Sequence, residues 1–379
     1  MQLSLYIHFP FCKNKCSYCD FYKELHNNEH EEEFYQALCI ETELASEDSY
    51  LQNAVIDTIF IGGGTPSLTS LSLFADWLSH LKRYFTISDN LEFSIECNPE
   101  SVTLEKLKIL SELGVNRPVF GVQSFDTETL KLLDRKHSIH DSYQAVYYAN
   151  LLDLKNFGVD LIFGLPYQNS QKLSYDIDQI IDLEPAHISF YQLTVEPGTK
   201  LASKIDRGKI KLPDSDLMLG LYRGGCEKMS EEGFQRYEVS SFAKEGFECR
   251  HNTRYWDGSD YLGLGPAAHS FINSQRFYNI SNLHEYNSKL RSGIFPRTVD
   301  KSGLEERMTE AIMLGLRMSK GINRSAFRKR FGISLRNRLD KKQYDLFIES
   351  GHLIPDKGRL RLSDEGFYLA DEITRRLVK

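Results

Sequence analysis

The stretch Tyr6-Ile-His-Phe-Pro-Phe-Cys12-Lys-Asn-Lys-Cys16-Ser-Tyr18-Cys19-Asp-Phe21 decides how the rest of the chain is read. Its three cysteines are spaced C-x3-C-x2-C, directly after an apolar run with strand character. Thiolates are soft ligands, and three of them this close can hold three irons of one [4Fe–4S] cluster. The fourth iron of a cubane would then be open to a small molecule that chelates through an amine and a carboxylate. The competing reading is a zinc knuckle with His8 as fourth ligand. Structural zinc sites usually pair one C-x2-C unit with a distant second one, and the chain has no second pair. The spacing favours iron–sulfur.

At 379 residues the chain can form a barrel-sized domain plus a smaller one. A hydrophobic content of 41% with 26% charged residues is that of an ordinary globular protein. The seven cysteines, at 12, 16, 19, 39, 97, 226 and 249, are odd in number and too sparse for a disulfide framework. With the cluster motif they point to a reducing interior. The first residues show no basic-then-apolar leader, and no apolar run is long enough to span a bilayer. The expectation is a cytoplasmic protein. The net charge of −7 is unevenly spread: residues 297–379 hold 19 basic against 12 acidic side chains, a balance of +7, which leaves −14 on the first 296. Ten basic residues and one acid, Asp340, lie between Arg317 and Lys342. That contrast marks a distinct C-terminal module.

Strand-like runs at 3–9, 55–61, 91–96, 118–123, 158–163 and 187–193 alternate with amphipathic segments at 30–47, 68–84, 103–113, 138–156 and 171–183. Such alternation predicts an α/β fold with a parallel sheet and right-handed crossovers. Six units fall short of the eight of a full barrel, so residues 1–200 are expected to form a partial (β/α)6 barrel, open on one side. Residues 201–300 follow as an α/β extension that closes the barrel. Residues 301–379, with Met308, Ile312, Leu316, Phe327, Leu335, Leu339 and Phe347 on apolar faces, read as three helices and a wing, a winged-helix-like module. Its basic face could meet nucleic acid, an anionic membrane or the propionates of a tetrapyrrole, with solvated surface charge as the default.

In parallel α/β folds the chemistry sits at the C-terminal ends of the strands, and polar signatures collect there. The second strand ends Gly62-Gly63-Gly64-Thr65-Pro66-Ser67. Glycines let bare backbone approach a ligand, and the missing Gly-Lys-Ser/Thr ending excludes a phosphate loop. Standing alone, the run would read as a strand-to-helix turn capped by Ser67. Glu96 at the third tip could take ribose hydroxyls, or simply precede a turn. Gln123 ends the fourth strand, Arg135 follows it, and Asp160 lies on the fifth. Each is weak alone; their recurrence carries the reading. Farther on, Cys249-Arg-His251-Asn252-Thr-Arg254-Tyr255-Trp256 offers an imidazole that could ligate haem iron beside flat aromatic partners. The alternative is that this group closes the barrel edge with the histidine satisfied inside.

Together these motifs resemble the branch of the radical S-adenosylmethionine superfamily that contains the oxygen-independent coproporphyrinogen III oxidases and their haem-chaperone paralogues. The resemblance runs from Tyr6 to the C-terminal module, with Gly62-Gly-Gly-Thr-Pro66, Gly121-Val-Gln-Ser124 and Gly164-Leu-Pro166 in order. It implies that Cys12, Cys16 and Cys19 bind the cluster. It also implies that Tyr6, Tyr18, Gly63, Gly64, Thr65, Glu96, Gln123, Arg135 and Asp160 form the S-adenosylmethionine pocket. The oxidases carry a further cysteine two residues after the cluster motif, where this chain has Phe21, and an N-terminal extension before it. His251-Asn252-x-x-Tyr255-Trp256 matches the haem-binding motif of the chaperones. The resemblance therefore implies a haem chaperone, with His251 on haem, delivery to haem-accepting respiratory enzymes, a homodimer and peripheral membrane contact. The runner-up is decarboxylation of coproporphyrinogen propionates, and nucleic-acid modification comes last. Departures from the pattern are Phe9, Pro118, Tyr167 and Ala267, the last standing where glycine is usual.

Overall fold

A computed structural model of the chain describes residues 1–378; Lys379, the last residue of the expected 301–379 module, lies outside the described residues. Six parallel strands form the centre: β1 Gln2–Phe9, β2 Val55–Gly63, β3 Thr86–Cys97, β4 Arg117–Gln123, β5 Gly158–Phe163 and β6 His187–Gln192, hydrogen-bonded in that order. Between them run α1 Asn28–Ser46, α2 Leu71–Tyr84, α3 Leu104–Glu112, α4 Ile139–Leu151 and α5 Ser170–Asp182. The helices start where the sequence supplies caps. Asn27 accepts from Glu29 N and His30 N, Ser138 and Asp141 form a capping box, and Asn169 accepts from Lys172 N.

Side-chain alternation explains why the sheet curls. Leu3, Leu5, Ile7 and Phe9 of β1 share one core with Ile59 and Ile61, Phe93 and Ile95, Phe120 and Val122, Val159 and Leu161, and Ile188 and Phe190. Each such side chain, fully buried, contributes about 1.5–3 kcal/mol. The alternate positions carry Ser4, Tyr6 and His8, then Thr58, Glu96, Arg117, Asp160 and Ser189, which turn to the other face. One face is oil for the helices, and the other is a polar interior.

The third strand begins at Thr86, five residues before the sequence suggests. Its polar start pairs across a register shift, with Ile56 opposite Ile87 and Thr58 opposite Glu92.

After β6 and α6 Ser215–Glu231, strands β7 Gln235–Glu238 and β8 Ser241–Ala243 extend one edge of the sheet antiparallel to β6. The chain then crosses through α7 Arg250–Asp257, and β9 Tyr261–Leu264 pairs parallel with β1 on the other edge. Strands β10 His269–Ile272, β11 Gln275–Asn279 and β12 Arg297–Val299 complete a 12-stranded sheet. Residues up to about 300 therefore share one sheet and one main core, which runs from Leu3 to Leu290 among its fully buried members. The extension is locked to α1 by Glu41. This fully buried carboxylate accepts from Gly265 N at 2.8 Å, Asn279 Nδ2 at 2.6 Å and Tyr286 Oη at 2.6 Å, after α8 Leu283–Arg291 brings the tyrosine in. Ala267, in the same turn, has φ +61°, a left-handed conformation that glycine adopts at less cost.

The C-terminal module has its own core, in which Met308, Ile312, Leu316, Phe327, Leu335, Leu339 and Phe347 are all buried. It comprises α9 Leu304–Leu316, β13 Ile322–Asn323, α10 Arg324–Phe331, α11 Lys341–Glu349, the hairpin β14 Leu353–Asp356 with β15 Arg359–Leu362, and α12 Ala370–Leu377. The sheet order β13-β15-β14, with helices before the hairpin, is a winged-helix arrangement. Among the described residues no helix is long and apolar enough to cross a membrane.

Candidate functional site

The C-terminal ends of the six central strands surround a cavity of about 520 Å³. Cys12, Cys16 and Cys19 line it, together with Tyr18, Gly63, Gly64, Thr65, Glu96, Gln123, Arg135 and Asp160. The cysteine loop is clamped to the glycine loop by backbone bonds from Gly64 N to Phe9 O and from Thr65 N to Phe11 O, both 2.7 Å. A β-carbon on Gly64 would lie 2.5 Å from Phe11 O, so no other residue fits there. Gly63 has φ +105°, and a β-carbon on it would lie 2.7 Å from the His8 ring. On the far side, Ser17 bonds Leu133 O and Leu132 O at 3.0 Å, and Asn14 Nδ2 bonds Asp134 O at 2.8 Å.

Two donors face the thiols. Thr65 Oγ1 lies 3.4 Å from Cys12 Sγ, and Arg135 Nη1 lies 3.9 Å from Cys16 Sγ. Arg135 is itself held by Gly121 O at 2.6 Å and Asn98 Oδ1 at 2.9 Å. Burial raises the Cys12 and Cys16 thiols above their ordinary range, with Arg135 pulling the second back down. Three soft donors on one cavity, backed by two hydrogen-bond donors of which one is a fixed cation, fit an iron–sulfur cluster. They do not fit a zinc site completed by His8. That imidazole is buried, with Nδ1 on Tyr6 Oη at 3.2 Å and Nε2 on Tyr22 O at 2.9 Å. Among the described residues no three His, Cys, Asp or Glu side chains converge on a single ion.

The opposite wall is acidic. Burial, with Asp160 adding repulsion, pushes the Glu96 carboxyl up to about 8. Burial pushes Asp160 up to about 6 against the pull of Ser189. Glu96 accepts from Gly63 N at 3.1 Å. Two half-buried carboxyls on the cavity wall with little compensating charge are suited to a ligand that brings hydroxyl donors or a cation. Gln123 closes this wall at φ +69°, a strained conformation for a residue with a β-carbon.

Residues 6–180 match the family model of the Radical SAM superfamily, and residues 304–369 match the HemN C-terminal domain. The heme chaperone HemW of Bacillus subtilis is 34% identical over 372 residues, covering 98% of this chain and 97% of the relative. The chain belongs to the heme chaperone HemW family. The HemW of Escherichia coli is 38% identical over 270 residues, 71% of this chain and 70% of its own length. Among solved structures, coproporphyrinogen III oxidase (HemN) from Escherichia coli, a radical SAM enzyme, superposes with a TM-score of 0.84. It is 22% identical, over 98% of this chain and 89% of the oxidase, a likeness that speaks for the fold alone.

Two residues assigned to ligands by the HemW-family resemblance lie elsewhere. Tyr6 is under the cavity rather than on it, bonded to His8 and stacked on Phe60 with ring centroids 6.4 Å apart. His251, expected on haem iron, is 0% exposed at the barrel floor. Its Nδ1 meets Thr58 Oγ1 and its Nε2 meets Tyr255 Oη, both at 2.8 Å. Burial drives the imidazole down to about 3. In this arrangement each ring nitrogen is bonded to a hydroxyl within the chain.

Sequence reasoning passed over Asn98, which joins Arg135 to Thr65 through bonds of 2.9 and 3.4 Å. It also missed Tyr191, which lines the cavity. Both were within reach: Asn98 is two residues past Glu96, and Tyr191 follows His187 and Ser189 on the inward positions of β6.

Proposed function

We propose that the chain holds a [4Fe–4S] cluster on Cys12, Cys16 and Cys19, binds S-adenosylmethionine in the adjoining cavity, and binds haem for delivery to haem-accepting respiratory enzymes. The observation that carries the reading is the single cavity on which all three thiols, the glycine loop and two raised carboxyls meet. A bound cluster would supply one open iron for the amine and carboxylate of the cofactor, and an electron for its cleavage. The chain supplies the rest. Backbone at Gly63, Gly64 and Thr65 receives the amine end, Arg135 and Gln123 receive the carboxylate, and Glu96 and Asp160 take ribose hydroxyls. Tyr18 offers a ring to the adenine, and Tyr6 supports the floor from below.

Haem binding is supported by the named chaperones that match along the whole chain, and by two flat rings on the cavity lining that stay open to solvent. These are Phe21, 64% exposed, and Tyr191, 42% exposed. Phe21 also stands where the oxidases carry a further cysteine, which favours transport over decarboxylation. We further propose a cytoplasmic homodimer with peripheral membrane contact. Residues 1–200 would carry the cofactors, 201–300 would close the barrel, and 301–379 would form a separate basic module.

Haem titrated into anaerobically reconstituted protein, followed at the Soret band, tests the reading. Saturable binding near one haem per chain is expected, weakened by Phe21→Ala. Absence of binding in every cluster and cofactor state would end it.

A further inference from the structure

The segment after β6 turns back onto the cysteine loop. Its helix Lys200–Asp206 buries Leu201 with Leu133, Ile162, Leu165 and Leu193, and Tyr18, Ile205, Ile210 and Leu212 pack around them. Leu201 N bonds Ser17 O at 2.9 Å, which ties the helix to the middle of the C-x3-C-x2-C run. The apolar side of the segment is therefore spent on the loop. Between Lys200 and Leu212 what remains is basic: Lys200, Lys204, Arg207, Lys209 and Lys211 against Asp206, with Glu196 and Asp214 flanking the run. Lys13 and Lys15, on the loop between Cys12 and Cys16, are exposed beside it.

Lys200 reaches Asp134 at 3.6 Å. Among the described residues no carboxylate lies within ion-pair distance of Lys13, Lys15, Lys204, Arg207, Lys209 or Lys211. This island sits on a part of the chain, residues 1–296, whose charge balance is −14. Clustered like charges repel one another, and among the described residues the Lys200–Asp134 pair alone offsets them at ion-pair distance. The segment that carries five of them is bonded, through Leu201 N and Ser17 O, to the loop that carries the thiols.

We infer that this island is the docking surface for a small acidic one-electron carrier protein, which reduces the cluster held by Cys12, Cys16 and Cys19. The inference rests on the reading of those cysteines as cluster ligands. One electron leaves the carrier, which is oxidised, and enters the cluster, which is reduced. No proton or group moves. Complementary charge speeds encounter and fixes orientation more than it adds affinity, which suits a partner that must leave after each transfer. The effect falls with ionic strength as the Debye length shortens.

The test compares two reductants on anaerobically reconstituted protein, with the bleaching of cluster absorbance as readout. One is reduced flavodoxin, a small acidic flavoprotein; the other is titanium(III) citrate, which needs no docking surface. A variant carrying Lys204→Glu, Arg207→Glu, Lys209→Glu and Lys211→Glu is expected to lose on the order of tenfold or more of the flavodoxin rate at low salt. Its salt dependence should flatten, while iron content and the titanium rate stay unchanged. A milder Lys204→Gln, Lys209→Gln variant should fall between the two. An unchanged flavodoxin rate overturns the proposal. So does an equal loss with both reductants, which would make the segment a prop for the loop. Binding of transfer RNA tighter than that of flavodoxin, abolished by the same variant, would assign the island to nucleic acid instead. Should the wild type assemble no cluster, the cluster reading fails. Binding of oxidised flavodoxin to the metal-free chain would still be measurable, and it separates the two failures.

Discussion

Glu96 and Asp160 show how much a single carboxyl on a cavity wall can govern. Glu96 titrates near 8 in the folded chain against an ordinary 4.5, and Asp160 near 6 against 3.8. Between those limits the folded protein keeps protons that the unfolded chain has released. Stability therefore falls as pH rises from about 4.5 towards 8 and levels off above that, by a few kcal/mol at most. Urea unfolding of the metal-free protein in pH steps should show that decline, and Glu96→Gln should remove the larger part of it. A slope that persists in the variant would mean that other groups set the pH response. His251→Ala makes a second expectation. It empties a buried site and strands Thr58 Oγ1 and Tyr255 Oη, at a cost of about 3 kcal/mol, while haem binding persists. A weakened Soret band with an unchanged unfolding midpoint would show instead that the imidazole reaches haem. At this scale the sequence was legible where spacing is covalent, as in the cysteine loop, and where a strand end fixes position, as for Glu96 and Asp160. The state of His251 was not, because it depends on Thr58, which is 193 residues away.

Among elements, the six central strands and their helices stand out because short apolar runs recur between amphipathic segments, the first of them alternating apolar and polar as Leu3-Ser4-Leu5-Tyr6-Ile7-His8. The closing strands leave little trace. β8 has three residues and β9 four, too few for any period, and their pairing comes from contacts far along the chain. Glu41 is one such contact. It reads as one more acid on the amphipathic helix α1, yet it receives three hydrogen bonds from the extension. Glu41→Ala leaves Gly265 N and Tyr286 Oη buried without this acceptor, and Asn279 Nδ2 with Gly265 O alone. We expect a loss of about 3 kcal/mol or more, seen as a lower urea midpoint. A change below about 1 kcal/mol would mean that water replaces the carboxylate without penalty.

For the molecule as a whole, the charge division read from composition has a structural counterpart. The basic module meets the acidic body through arginines. Arg236 of β7 lies over Phe367 at 4.1 Å and pairs with Asp364, while Arg223 pairs with Glu365. Asp364 is 93% exposed, so the ion pair counts for little; the stacked guanidinium and its packing hold the joint, at about 1–2 kcal/mol. Arg236→Ala should loosen it, and the exposed stretch 301–306 should then be cut by trypsin after Lys301 faster than in the wild type. Equal cutting rates would place the hold elsewhere, at the Glu238–Met318 bridge or the Ser319–Tyr237 hydrogen bond.

The contact between Gly64 and Phe11 bears on any attempt to rebuild this protein. With no room for a β-carbon and two backbone bonds across the seam, the cysteine loop and the glycine loop are a single transplantable part. A chimera that exchanges one and keeps the other inherits a mismatched joint. One that moves both carries the fitted pair into its new host intact.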